Sequence, residues 1–226
     1  MNDKLKLQIN IIRTAIAYLA FAIYTILVGI VDVEQIGPNR SKVGFSHLNA
    51  AFHKMTGVHS TIYALTDILA IAALLIMIGF ATYGILQLLK RKSFLKVDKE
   101  LYALAFTYIL MIVIYVFFEK FIINYRPVLI DEVLEASYPS SHSMLAMTVF
   151  ITALFEFSYI IKDIKILRTI QGALIILTAL TVIGRLFCGV HWLTDVIGSV
   201  LISVPLIMSY HSISLLLNCI DKKKEA

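Results

Sequence analysis

Six apolar runs of about twenty residues, near 14–33, 63–89, 101–118, 144–161, 170–189 and 196–219, constrain this chain more than any other feature. Wound as a helix at about 1.5 Å per residue, such a run matches the hydrocarbon thickness of a bilayer and closes its backbone hydrogen bonds within itself. Composition agrees, with 59% hydrophobic and only 15% charged residues, where a soluble domain carries about 25% charge. A disordered chain is excluded by the same balance. The expected fold class is therefore an all-α integral membrane protein, a six-transmembrane-helix bundle forming a single membrane domain over 1–226. No repeat of fixed period and no low-complexity tract interrupts it.

Charge between the runs sets the orientation. Lys90, Arg91, Lys92, Lys96 and Lys99 crowd one connection and Lys162, Lys165 and Arg168 another, with Lys4, Lys6 and Arg13 before the first run and Lys222, Lys223 and Lys224 after the last. An even number of spans puts all of them on one side, which the positive-inside rule makes the cytoplasm, with both termini there. The net charge of +5 is thus topological and does not call for nucleic acid. The opening lysines and long apolar run read as an uncleaved anchor. Cys188 and Cys219 fall at opposite ends of their spans, too far apart for an intramolecular disulfide. Pro205 alone of the four prolines lies inside a span, where neighbouring helices tolerate a kink. The outer connections 34–62 and 119–143 are long, and the third is a turn from Gly189 to Trp192.

This topology brings three polar clusters to one membrane face: Lys120 with Arg126-Pro127, then Pro139-Ser140-Ser141-His142, then Arg185 with His191 and Asp195. Arg185 ends an otherwise apolar span, where a guanidinium is costly unless it snorkels or meets an anion. His191 and Asp195 are four residues apart, so on one helix the carboxylate can hold one ring nitrogen and leave the other free as base or nucleophile. The same pair also reads as an interfacial histidine beside a helix-capping aspartate. Ser140 or Ser141 can cap the fourth span, and a helix N-terminus there suits a phosphate, with His142 able to give a proton to a leaving oxygen. Arg126 offers a planar fork for phosphate and Lys120 a point charge, although both could simply face headgroups.

The combination resembles the membrane branch of the type 2 phosphatidic acid phosphatase superfamily over roughly residues 63–219. Family members read Ser-Arg, five residues, His, three residues, Asp; here Gly184-Arg185 is followed by LFCGV, His191, WLT and Asp195. The family's Pro-Ser-Gly-His stands as Pro139-Ser140-Ser141-His142. Its first signature, Lys, six residues, Arg-Pro, is shifted: five residues separate Lys120 from Arg126-Pro127, and Glu119 holds the lysine position. The resemblance implies a lipid phosphate or diphosphate phosphatase in a bacterial-type plasma membrane with its site at the outer face. In it His191 forms a phosphohistidine, Asp195 orients it, and His142 protonates the leaving alcohol. Arg126, Arg185, Ser140, Ser141 and nearby backbone amides hold the phosphoryl oxygens, with Lys120 assisting. Ser141 in place of glycine is strained if that position needs a left-handed backbone.

No cofactor or metal is expected, because the sequence groups no carboxylates around the phosphate cluster. Undecaprenyl diphosphate, phosphatidylglycerol phosphate and phosphatidic acid all fit as substrates, and the bilayer is the other partner expected, with the oligomeric state left open. Transfer to another alcohol instead of water is an open alternative, as is a non-catalytic lipid-binding or transport bundle, which the intramembrane carboxylates Asp67 and Glu156 would suit. Both also read as residues near span ends that can reach water. His47, His53 and His59 read as loop polarity, and His211 as a bundle-facing hydrogen-bonding residue.

Overall fold

The computed structural model describes the backbone of residues 3–224 and the side chains of 4–220; the Lys222, Lys223 and Lys224 side chains assigned to the inner face lie outside that range. Seven α-helices run in order: α1 Asp3–Ile30, α2 Ser46–Thr56, α3 Ser60–Arg91, α4 Lys99–Lys120, α5 Ser141–Ile160, α6 Ile164–Phe187 and α7 Leu193–Lys224. Six are long and apolar enough to cross a membrane, all but α2. The helices outrun the apolar runs that announce them. At 32 residues, α3 spans roughly 48 Å, because a helix continues into the headgroup region wherever polar residues still allow its backbone bonds.

α5 and α7 form the middle of the bundle. Half of the apolar stretch of α5 and 44% of that of α7 are buried, against 17% for each of α1, α3 and α6, which turn most of their surface to lipid. α7 packs against α1, α4 and α5, while α3 packs against α5 and α6 and touches α4 only lightly. That splay leaves an apolar groove between α3 and α4, described below.

At the end of the bundle that carries the α3–α4 and α5–α6 connections, Asp163 caps α6 by accepting from the amides of Lys165 (2.8 Å) and Ile166 (3.1 Å). Asp98 ties α4 to α3, accepting from Gln87 at 2.6 Å and Arg91 at 2.7 Å. The opposite end is more built. The long connection 34–62 contains α2, which is too short to register as a span. α2 is pinned to the start of α7 by Asn49, whose amide donates to Thr194 Oγ1 (2.9 Å) and accepts from the Thr194 amide (3.2 Å). The three loop histidines are structural ties rather than mere polarity, His59 through Nε2 to the Thr56 carbonyl at 2.8 Å. His47 Nδ1 lies 2.7 Å from Asp32, and His53 Nε2 lies 3.1 Å from the Gly189 carbonyl with its ring 5.5 Å from Trp192. Deeper in the bundle His211 sits edge-on to Phe155, ring centroids 4.2 Å apart.

Between α4 and α5 the chain doubles back as a short antiparallel hairpin, with bridges Tyr125 to Ala136 and Ile130 to Val133. Its return arm is locked by Tyr138, which is buried against Phe21 and Phe118 and shares a 2.7 Å hydrogen bond with Thr25. The segment 137–140 is therefore held by α1 and α4 before α5 begins.

The turn from α6 to α7 depends on Gly189, whose φ of +77° is left-handed and whose missing side chain leaves room for the Gly57 carbonyl. Gly189→Ala should lower the thermal unfolding midpoint of the detergent-solubilised protein, by the equivalent of about 1–2 kcal/mol for the left-handed alanine alone, with the backbone clash adding to it. An unchanged midpoint would mean that the turn is not under this constraint.

Candidate active site

All three polar clusters reach one end of the bundle: the α4 terminus and its hairpin, the α5 N-terminus, and the α6–α7 turn. His191 lies in that turn and is 3% exposed. Its Nδ1 donates to the Ser137 carbonyl at 3.1 Å, which leaves the Nε2 lone pair facing Arg126 Nη1 at 3.3 Å. Asp195 Oδ2 stands 3.9 Å from Nδ1, so it backs the ring electrostatically while the ring hydrogen goes to the hairpin. The carboxylate's own hydrogen bonds come from the Trp192 amide (2.9 Å) and Asn124 Nδ2 (3.0 Å). Asp195 thus closes the first turn of α7, as the capping reading has it, whereas the ring nitrogen it was expected to hold bonds the Ser137 carbonyl instead. Burial pushes the His191 ring down to about 4, and Arg126 works in the same direction, partly opposed by Asp195. The imidazole is neutral, as a nucleophile must be.

Arg126 and Arg185 are the two buried cations. Arg126 Nε stands 2.9 Å from Glu135 across the hairpin without the alignment of a hydrogen bond, and its Nη1 also faces the Val190 carbonyl at 3.4 Å. Arg185 is fully buried and pairs through Nη2 with Asp67 of α3; its Nε and Nη1 have no hydrogen-bond partner among the described residues. The Tyr63 ring lies 4.9 Å from its Cζ. His142, on the first turn of α5, places Nε2 3.2 Å from the same Asp67 oxygen.

The remaining expected residues divide. Ser140 is fully buried, with its amide donating to the Asp195 carbonyl (3.1 Å) and its hydroxyl to Ser143 (3.1 Å), so it joins α5 to α7 rather than facing a ligand. Ser141 is the half-buried partner of the pair: it lines both the α3–α4 groove and a recess beside His191. It opens α5 without a positive φ, so serine carries no strain where the resemblance has glycine. Lys120 lies on the exposed surface at the end of α4, and Glu119 lines the recess instead. One residue turns a helical side chain by about 100°, and the offset in the first signature puts Lys120 outside.

The expectation that no carboxylates gather at the cluster does not hold. Asp67, Glu119, Glu135 and Asp195 all reach it, brought from α3, α4, the hairpin and α7. Asp67, two turns into α3 and 38% exposed, keeps contact with the surface as expected and in addition contacts two members of the cluster. Its one sequence signal was a carboxylate in the outer part of a span, the depth at which Arg185 needs an anion. Asn124, which bonds Asp195, and the Ser137 carbonyl had no such signal, because both act through hairpin geometry. Glu156 is buried inside the bundle and accepts from Tyr210 at 3.1 Å.

The cluster thus combines two buried guanidiniums, two imidazoles and a helix N-terminus beside an apolar groove between α3 and α4. The family model described as the PAP2 superfamily matches residues 100–218, more than half of the chain, and the chain belongs to that superfamily. The fold is also that of a solved structure, "Crystal structure of the first transmembrane PAP2 type phosphatidylglycerolphosphate phosphatase from Bacillus subtilis". The TM-score is 0.62 at 17% identity, covering 93% of this chain and 96% of that one. No curated protein matches the chain in sequence.

Asn124 joins the hairpin to Asp195, Thr194 and the Gly44 amide. Asn124→Ala should cost about 1–3 kcal/mol of stability by leaving a buried carboxylate short of a donor, read as a drop in unfolding midpoint. A midpoint equal to that of the parent would remove Asn124 from this role.

Proposed function

We propose that this protein hydrolyses the phosphate of a membrane lipid phosphate or diphosphate at the outer membrane face, through a phosphohistidine on His191. The observation that supports this most is the His191 ring: its proton is committed to Ser137 and its lone pair is aimed toward a buried guanidinium, the arrangement of a neutral nucleophile beside an anion donor. Nε2 attacks phosphorus and the P–O bond to the lipid breaks. Protonated His142 gives its proton to the departing oxygen. A water then attacks the phosphohistidine, gives its proton to the now neutral His142, and inorganic phosphate leaves as the P–N bond breaks. Arg126, Arg185 and the first amides of α5 neutralise the charge on the equatorial oxygens.

The groove between α3 and α4 supports a lipid substrate. Its outer part, about 420 Å³, is walled by Ala70, Leu74, Met77 and Met111 and ends at Ser141 and His142. Beyond Met77 and Ile112 an inner part of about 440 Å³ continues past Phe80 and Leu101. Hydrocarbon lying there would put its phosphate at the histidines. Phosphatidylglycerol phosphate, the substrate class named for the structural relative, fits this geometry, as do phosphatidic acid and undecaprenyl diphosphate. The outer face follows from the basic connections, which lie at the opposite end of the bundle.

Purified protein should release inorganic phosphate from one or more of these three lipids, and release should persist in EDTA. His191→Ala should abolish it, Arg126→Ala and Arg185→Ala should each lower kcat/KM by about a hundredfold or more, and Lys120→Ala should leave it within about twofold. Inactivity of the parent across the panel, full activity of the His191 variant, or exclusive transfer to a lipid alcohol would reject the hydrolase.

The acid limb of kcat/KM should lie far below 6.5. Since the folded ring is pushed down to about 4, the nucleophile stays unprotonated above that value, and activity is lost as pH falls through it. A limb assigned to His191 near 6.5, by its disappearance from the residual rates of His191 variants, would contradict the buried setting.

A further inference from the structure

The two arginines that would hold the phosphoryl group are already engaged by carboxylates, and the pairing at Arg185 is the more telling. Asp67 directs a single oxygen at both Arg185 and His142, the group that would bind a phosphoryl oxygen and the group that would protonate the ester oxygen. The guanidinium is 0% exposed and cannot withdraw, whereas the Asp67 side chain is 38% exposed and has water within reach.

Two further features place this carboxylate in the substrate's path. Asp67, Ala70, Leu74 and Met77 follow helical spacing along one stripe of α3, and the last three wall the groove. A phosphate at the head of a chain in that groove arrives where Asp67 stands. Gly184, where the resemblance has serine, lets α3 come this close: a Cβ there would lie 2.5 Å from the Thr66 methyl carbon, next to Asp67.

We propose that in the substrate-free protein Asp67 takes the place of a phosphoryl oxygen, and that substrate binds by exchanging its own anion for this carboxylate. This rests on reading the site as a phosphoryl-transfer centre. The exchange keeps the buried Arg185 charge compensated at every stage, and it makes Asp67 a determinant of phosphate affinity. Asp67 swings toward the outer surface as phosphate arrives, which frees His142 Nε2 to face the ester oxygen.

The test is calorimetric titration of inorganic phosphate into the parent protein, Asp67→Asn and Asp67→Ser in detergent, together with steady-state kinetics and a structure of the parent soaked with phosphate. Both variants remove the competing charge, so phosphate should bind about tenfold tighter or more, and KM should fall similarly with kcat retained. In the phosphate-bound parent, Asp67 should have left Arg185. Unchanged or weaker phosphate binding in a folded variant would overturn the proposal. So would a fall in kcat at constant KM, which would make Asp67 a positioning residue for His142. A bound phosphate with Asp67 still on Arg185 would overturn it even if neither variant folds. The titration and the structure need no turnover, so loss of the hydrolase reading would not be mistaken for loss of this one.

Discussion

A guanidinium with no solvent exposure, near the end of a membrane span, is the constraint around which the α2 half of this protein is arranged. Placing such a charge in a bilayer costs about 3 kcal/mol by insertion measurements and more without local relief, so Arg185 requires an anion. α3 supplies one through Asp67, and contact at that depth is possible because Gly184 has no side chain to hold the helices apart. The pairing sets the spacing of α3 and α6. The light contact of α3 with α4 is the other side of that placement, and it leaves the groove open to lipid.

The second buried cation is held by different means. Arg126 belongs to a hairpin, and the same hairpin provides the Ser137 carbonyl to His191 and the Asn124 amide to Asp195. Tyr138 anchors it between α1 and α4, Trp192 donates to the Tyr125 carbonyl at 2.7 Å, and α2 closes over the start of α7. A loop of twenty residues is thereby made stiff enough to hold an imidazole within hydrogen-bonding distance of a guanidinium, the positional accuracy that phosphoryl transfer demands.

Both arginines are buried and both of their carboxylate partners are substantially exposed, Asp67 at 38% and Glu135 at 42%. Glu119 adds a third carboxylate at the recess, in the position where a lysine marks the family's first signature. Positive charge is thus buried at this end of the bundle, compensated by carboxylates that keep contact with the surface.

The spans and their common polarity were legible in the sequence because hydrocarbon thickness and backbone satisfaction leave a twenty-residue apolar run few alternatives. Arg126, His142, Arg185, His191 and Asp195 were legible for a related reason: an even set of spans forces those connections to one face. What the sequence left undetermined depended on direction and distance. The rotation that puts Glu119 rather than Lys120 at the recess, the division of Ser140 into the core and Ser141 onto the groove, and the pairing of Asp67 with Arg185 each turn on a few ångströms of helix packing. Apolar pattern fixes which residues lie at the same depth in a membrane; only the packed bundle decides which of them touch, since residues at one depth can face lipid, a neighbour or the site.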